Sequence, residues 1–371
     1  MRDDAARVPI LVWSTFKPSV SAVGGNLRTA QIFELSHEAG FLPQSIECGR
    51  VGIVSRLLAG WQARMGLRRA GVRLSWRSWS LAGFYAVNVT RALRAHTGAR
   101  ILLWESTTSA VPAWVARQHG FAVVALAQSI EAFDTEKECM TSLEREAERL
   151  SLADRVFCIS EAERWLLTNI GISSDWLPYF PPKARCVARA EVAAIRAGGV
   201  RRDSPWLVIG TTHYPPTREG MLRLLSWLDP AIRANLSVVV AGFGTEDLSK
   251  YFPNSRMIFL GPVSEETLTR LLIDARGLIV HQDRGCGSIT RIPDALLAGL
   301  PVVASRFAAR DTGAHPGIHI YDTQEEMIAL VQSSGFAAFS PPRPPAAAVA
   351  RFTRVLEDLA AARGEGPPKE A

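Results

Sequence analysis

Short blocks of consecutive apolar residues alternate with longer amphipathic stretches from one end of the chain to the other. This is the pattern of buried parallel strands joined by crossover helices, and it predicts an α/β architecture. Residues 8–16 read as the first buried strand. Gly24-Gly25 then breaks the chain, and Asn26 stands where it would cap a helix running to Gly40. Residues 100–104, 121–127 and 155–159 are the next strands, and the capping-box spacing of Ser160 and Glu163 starts a helix toward Gly171.

Leu177-Pro178-Tyr179-Phe180-Pro181-Pro182 interrupts the alternation and reads as a stiff linker, because proline and aromatic residues crowded together do not continue a helix. Beyond it the same alternation restarts. Residues 206–209, 236–241, 257–260, 278–281, 301–304 and 318–321 are strands, and residues 264–275 form a helix with Ser264 and Thr267 around an acidic first turn. Pro341-Pro342-Arg343-Pro344-Pro345 is a second rigid spacer, followed by an alanine-rich helix over residues 346–362 and a polar tail. The expected organisation is a first domain over 1–180, a second over 181–335, and a linker, helix and tail over 336–371.

Composition narrows the class. With 371 residues the chain suits two domains, and 47% hydrophobic with 21% charged residues is globular rather than disordered composition. No apolar run reaches the ~18–20 residues that span a bilayer. The start Met1-Arg2-Asp3-Asp4 is acidic and does not read as a signal peptide. Cys48, Cys139, Cys158, Cys186 and Cys286 are scattered, which suggests reduced thiols in the cytoplasm and argues against a disulfide framework or a zinc site.

The net charge of +6 is unevenly spread: from Cys48 to Trp104 there are ten arginines and no Asp or Glu. Such a field attracts phosphate. Ile53, Val54, Leu57, Leu58, Trp61 and Met65 share one helical face, into which Arg64 and Arg68 also project, and Trp76 and Trp79 follow. Two readings stay open for the stretch between Arg50 and Arg77. It is a core helix of the first domain, or it meets an anionic membrane surface and makes the protein peripheral on the inner face of the membrane. No nucleic-acid-binding module accompanies the arginines, so nucleic acid is not an expected partner.

The densest chemistry lies over residues 285–303. A glycine loop, Gly285-Cys286-Gly287, precedes a helix start where main-chain N–H groups can approach a phosphate. Ser288 and Thr290 add hydroxyls there, Arg291 adds a full charge, and Asp294 stands one turn on, where a carboxylate accepts ribose hydroxyls. An ordinary capped crossover helix explains the same residues. Asp283 and Arg284 either pair with each other or face a sugar.

Ser288, Arg291, Asp294, Gly299, Pro301, Val302 and Val303 fall on a pattern that resembles the donor-binding stretch of family-4-type GT-B glycosyltransferases. The family usually has Glu where Asp294 stands, and many members have Arg where Ile289 stands. Other segments follow in the family's order: residues 207–210 with Pro215-Pro216-Thr217-Arg218, the Gly242-Phe243-Gly244 turn that lies along the donor, residues 153–161, and Gly24-Gly25 with Arg28 as the N-terminal glycine loop. The resemblance covers about residues 8 to 322. It implies two Rossmann-like domains facing across a cleft, an acceptor side first and a nucleotide-sugar donor side second.

The activity so implied is transfer of a sugar, with retention, from a nucleotide-sugar donor to an unidentified acceptor, such as a lipid-linked glycan in surface polysaccharide assembly. No cofactor beyond that co-substrate is expected, and no metal, since no Asp-x-Asp pair is present to hold one at a diphosphate. Arg291 would stabilise the leaving group. Gly24, Gly25, His213, Arg218, Gly242, Gly244, Gly287, Ser288, Ile289, Thr290 and Asp294 would bind the donor. Where the family often has a histidine, this sequence has Gln128-Ser129-Ile130-Glu131, and Glu131 is the candidate to position the acceptor or act as a base. A nucleotide-sugar epimerase and a non-catalytic GT-B nucleotide-binding or partner subunit are the alternatives.

Overall fold

The apolar blocks pair as parallel strands in two separate sheets. The computed structural model describes residues 8–364 apart from 21–23, 75–77, 131, 133–138, 202, 234–235 and 334. The chain divides into two units: residues 1–179, 286–288 and 345–371 form the first, and residues 180–285 and 289–344 the second.

In the first unit the elements run β1 (Val8–Trp13), α1 (Gly24–Glu38), β2 (Phe41–Ser45), α2 (Ile53–Arg69), α3 (Trp79–Ala95), β3 (Ile101–Trp104), α4 (Val111–Gln118), β4 (Ala122–Ala127), α5 (Cys139–Leu150), β5 (Arg155–Cys158), α6 (Glu161–Asn169) and β6 (Asp175–Trp176). The strands lie in the order β2-β1-β3-β4-β5-β6, all parallel. Successive side chains feed opposite layers: Leu11, Leu102 and Val123 pack under α2, α3 and α4, while Ile10, Val12, Ile101 and Val124 pack on the other face. Burial on both faces is why these strands read as unbroken apolar runs.

The second unit continues with α7 (Lys183–Arg196), β7 (Trp206–Ile209), α8 (Pro215–Arg233), β8 (Val238–Ala241), a 3-10 turn (Thr245–Tyr251), β9 (Ile258–Gly261), α9 (Glu265–Asp274), β10 (Gly277–Val280), α10 (Arg291–Leu297), β11 (Val302–Ser305), β12 (Ile318–Tyr321) and α11 (Gln324–Gln332). Its sheet order is β12-β11-β10-β7-β8-β9, the order of dinucleotide-binding sheets. A last helix, α12 (Ala346–Gly364), returns to the first unit. There Phe352, Val355 and Leu356 join the layer of Ile10 and Val12, with the Phe352 ring 5.4 Å from that of Phe157.

The helix expected over residues 264–275 is α9, and Ser264 caps it by accepting from the Thr267 N–H at 3.1 Å. The Ser160–Glu163 box does not form: α6 starts without that side-chain cap, and Glu163 turns inward to accept from the Ile130 N–H at 3.1 Å. Nor does Asn26 cap a helix. The first helix begins at Gly24, and the Asn26 amide donates to the Lys17 carbonyl at 2.8 Å. β2 escaped notice because it carries Pro43, which only an edge strand tolerates, and β2 is at the edge. Among the described residues no helix is long and apolar enough to cross a membrane.

Candidate functional site

In open parallel sheets ligands bind beyond the carboxyl ends of the strands, where the strand order reverses. In the first unit that point lies between β1 and β3. The chain leaving β3 begins with Glu105, whose N–H donates to the Trp13 carbonyl at 2.9 Å and fixes it beside β1. Its side chain is 1% exposed. Gln128 Nε2 donates to Oε1 at 2.7 Å, and Thr29 Oγ1 lies 2.9 and 2.8 Å from the two carboxyl oxygens. Burial pushes the Glu105 carboxyl above its usual range, against the pull of hydrogen bonds from Ser14, Thr29 and Gln128 and the charge of Arg28. A cavity of about 170 Å³ opens here, lined by Glu105, Thr15, Phe16, Ser106, Thr107, Thr108, Gln128 and Ser129. It is mostly hydroxyl and amide in lining, with one acid.

Gly24 and Gly25 open α1 beside this cavity. A side chain at Gly25 would come 2.6 Å from the Phe16 ring, so the glycine permits a close approach. Arg28 does not face a ligand. It is buried, donates from Nη2 to the Leu177 carbonyl at 2.8 Å and from Nη1 to Gln31 at 2.6 Å, and burial lowers its pKa to about 10. Glu131 lies outside the described residues. Glu105 was the acid that sequence reasoning missed, although it directly follows a fully apolar strand, the place where a site carboxylate is to be sought.

Cys286, Gly287 and Ser288 group with the first unit. The Gly287 N–H, expected to approach a phosphate, donates instead to Glu163 Oε1 at 2.6 Å. With φ +69° and the Gln128 carbonyl 2.8 Å from where a Cβ would be, the position demands glycine for packing reasons of its own.

In the second unit the reversal lies between β7 and β10. Gly242, at φ +126°, lets β8 turn across the end of β7, where a Cβ would meet the Gly210 carbonyl at 1.9 Å. Gly244 turns beside Thr212 and the His213 ring, which the structure thereby brings together. His213 is exposed. Arg218 lies 33 residues from Tyr251 in sequence but donates to its hydroxyl at 2.8 Å and sits over its ring.

Asp283 and Arg284 do not pair with each other. Asp283 takes Arg223 at 2.7 Å and His281 at 3.1 Å, while Arg284 forms a two-point pair with Glu219 at 2.8 and 2.7 Å. Ile289 is 9% exposed and packs with Leu207, Leu278 and Ile292, so its side chain belongs to the core. Thr290 precedes α10 without a side-chain cap. Asp294 is turned into the protein and held by two arginines, Arg185 at 2.6 Å and Arg189 at 3.2 Å. Both its oxygens are engaged, which leaves little for a ribose.

Arg291 differs from its neighbours. Its Nε is buried without a hydrogen-bond partner. Burial first, and Arg310 second, bring its pKa down to about 10, so it stays cationic at neutral pH. α10 has only seven residues, so the positive end of this loop rests more on that guanidinium than on the helix dipole. Among the described residues no group of three or more His, Cys, Asp or Glu is placed to hold a metal.

Solved structures share this arrangement over nearly the whole chain. Sucrose-phosphate synthase from Thermosynechococcus elongatus matches with a TM-score of 0.60 at 16% identity, covering 97% of this chain and 98% of that one. HepE from Anabaena, solved with UDP and glucose, matches with a TM-score of 0.61 at 12% identity, covering 95% and 99%. The fold is GT-B. The same fold holds UDP-GlcNAc 2-epimerase from Methanocaldococcus jannaschii, with a TM-score of 0.55 at 11% identity over 95% and 99%. No family model matches the chain. No curated protein matches it either. The GT-B likeness is therefore one of fold, and the family-4 pattern rests on the sequence motifs.

Proposed function

We propose that this chain transfers a sugar from a nucleoside-diphosphate sugar to an acceptor hydroxyl, with retention and without a metal. The observation that carries this reading is Arg291, a cation with a buried, unpartnered Nε at the mouth of the β10–α10 loop in a dinucleotide-type sheet. A diphosphate leaving group supplies what that guanidinium lacks, and the charge that grows on the leaving oxygen strengthens the bond as the sugar departs. Gly242, Gly244, His213 and Arg218 border the same end of the sheet and are assigned to the donor. HepE, a fold neighbour solved with UDP and glucose, supports a uridine donor.

The acceptor is assigned to the first unit's cavity, where Glu105 and the hydroxyls of Thr15 and Ser106 suit a hydroxylated ligand. We assign that ligand to a lipid-linked glycan in surface polysaccharide assembly, and the protein to the inner face of the membrane. Calorimetric titration with UDP, GDP, ADP and TDP identifies the nucleotide. Incubation of the matching nucleotide sugar with and without acceptor lipids then separates the readings. Transfer only with acceptor supports the proposal, conversion of the sugar without acceptor shows an epimerase, and nucleotide binding with no turnover shows a non-catalytic subunit.

A further inference from the structure

Helix α2 carries two apolar faces, and the structure uses the smaller one for packing. Gly60, Ala63 and Leu67 are buried, and the approach is close: a Cβ at Gly60 would lie 2.4 Å from Trp79, and one at Gly83 of α3 would lie 1.7 Å from the Arg56 carbonyl. The larger face looks outward. Ile53 is 64% exposed, Val54 66%, Leu58 60% and Trp61 54%, with Leu57 between them. At 100° per residue these five positions and Arg68 and Arg69 occupy one outward arc. The apolar part runs about 12 Å along the axis, and the two arginines stand roughly 10 Å further on.

We propose that this arc docks onto an anionic lipid bilayer, with Ile53 to Trp61 entering the headgroup–acyl boundary and Arg68 and Arg69 lying on lipid phosphates. Trp61 sits between the two zones, at the depth where an indole is half apolar and half wet. Charge selects this occupant. The sequence from Cys48 to Trp104 contains ten arginines and no acid, so the face offers nothing to a basic partner. Arg73 is excluded from the count, because Glu148 of α5 holds it at 2.6 Å, and Arg56 is tied to the Ser80 carbonyl and the Phe84 ring. A second copy fits poorly: packed antiparallel about the middle of the arc, two helices would set Ile53 and Val54 against Arg69 and Arg68, and packed parallel they would set arginine on arginine. The rigid seating of α2 on α3 means the apolar face is displayed without any rearrangement. The inference deepens the membrane part of the proposed function. Vesicle binding requires no donor or acceptor, so its failure leaves sugar transfer standing, and failed transfer leaves the docking standing.

The test is flotation of the full chain with phosphatidylcholine vesicles, with and without phosphatidylglycerol. Wild type should float with the anionic vesicles only, and raising the salt should weaken binding roughly tenfold or more as the arginine contacts are screened. L58S/W61S should lose at least about tenfold in partitioning at low salt, since buried apolar area is removed. R68Q/R69Q should lose the preference for the anionic vesicles. Unchanged circular dichroism and a single unshifted melting transition in both variants show that they are folded. Failure of wild type to float, or variants that float like wild type, overturns the proposal. A dimer of the wild type that L58S/W61S converts to monomer in sedimentation assigns the face to a second copy and overturns it too.

Discussion

Arg185 grips Asp294 at two points, Nε to Oδ1 and Nη2 to Oδ2, each 2.6 Å, across 109 residues of sequence. Arg189 takes the same carboxylate at 3.2 Å and reaches Glu265 at 2.6 Å. Three helices, α7, α9 and α10, are thereby tied by one buried cluster.

Replacing Asp294 with Ala should therefore act first on stability. Two buried guanidinium groups would lose their buried carboxylate and keep only the half-exposed Glu265, a change worth about 3 kcal/mol, or on the order of 10 °C in Tm for a protein of this size. Calorimetry checks it. The double variant Asp294→Leu with Arg185→Met should lose less than the two single losses added together, because an unpaired buried charge is then avoided. A stable Asp294→Ala with weakened nucleotide binding would return Asp294 to the donor site.

Arg291→Ala should behave in the opposite way. Its Nε has no partner to lose, so Tm should stay within about 1 kcal/mol of wild type in equivalent stability. Affinity for UDP should fall about ten- to a hundredfold, the loss of one charge-assisted contact of about 1.5–3 kcal/mol. Lysine should restore part of the affinity and not all, lacking the planar fork. Titration calorimetry on both variants gives the answer, and unchanged UDP affinity removes Arg291 from the diphosphate.

Glu105 predicts a pH dependence. The folded protein raises its pKa above the ordinary 4.5, so the folded state holds this proton more tightly than the unfolded chain. Its contribution to stability is then fully present below about pH 4.5 and is lost as the pH rises through the raised folded value. Glu105→Gln removes that dependence while keeping an acceptor for Gln128 and a donor for Thr29. The variant should gain Tm relative to wild type as pH goes from 4.5 to 8. Parallel melting curves across that range would show that Glu105 binds its proton equally in both states.

Removing residues 346–371 should destabilise the first unit alone. Phe352, Val355 and Leu356 cover Ile10, Val12 and Val124, and uncovering three large side chains costs roughly 1.5–3 kcal/mol for each. Hydrogen exchange should quicken in β1 and β4 and stay unchanged in β7 and β10. Equal exchange in all four strands contradicts this placement.

The strand Trp206–Ile209 was legible to the residue as a short, buried apolar run, and the edge strand Ile318–Tyr321 by its β-branched and aromatic residues. The start of α9 was legible because its acidic first turn, Glu265 and Glu266, is local to the sequence. What escaped depends on distant chain. Asp294 reads as a ligand residue until Arg185 arrives on a helix that the proline linker hides. Glu105 reads as a loop acid until Thr29 and Gln128 close on it. For α2, periodicity reveals an apolar face but not whether that face looks inward, and Gly60 and Gly83 decide it by letting the opposite face pack.

The return of α12 to the first unit has a temporal consequence. During synthesis the second unit, encoded by a single stretch broken only at residues 286–288, is complete while the ribosome has yet to make the helix that covers Ile10 and Val12. The usual order, in which the leading domain matures first, is thereby reversed. Through most of its elongation the nascent chain carries a sheet face only partly covered, by Ile32 and Leu35 of α1, and the helix that completes the cover is made after every strand beneath it.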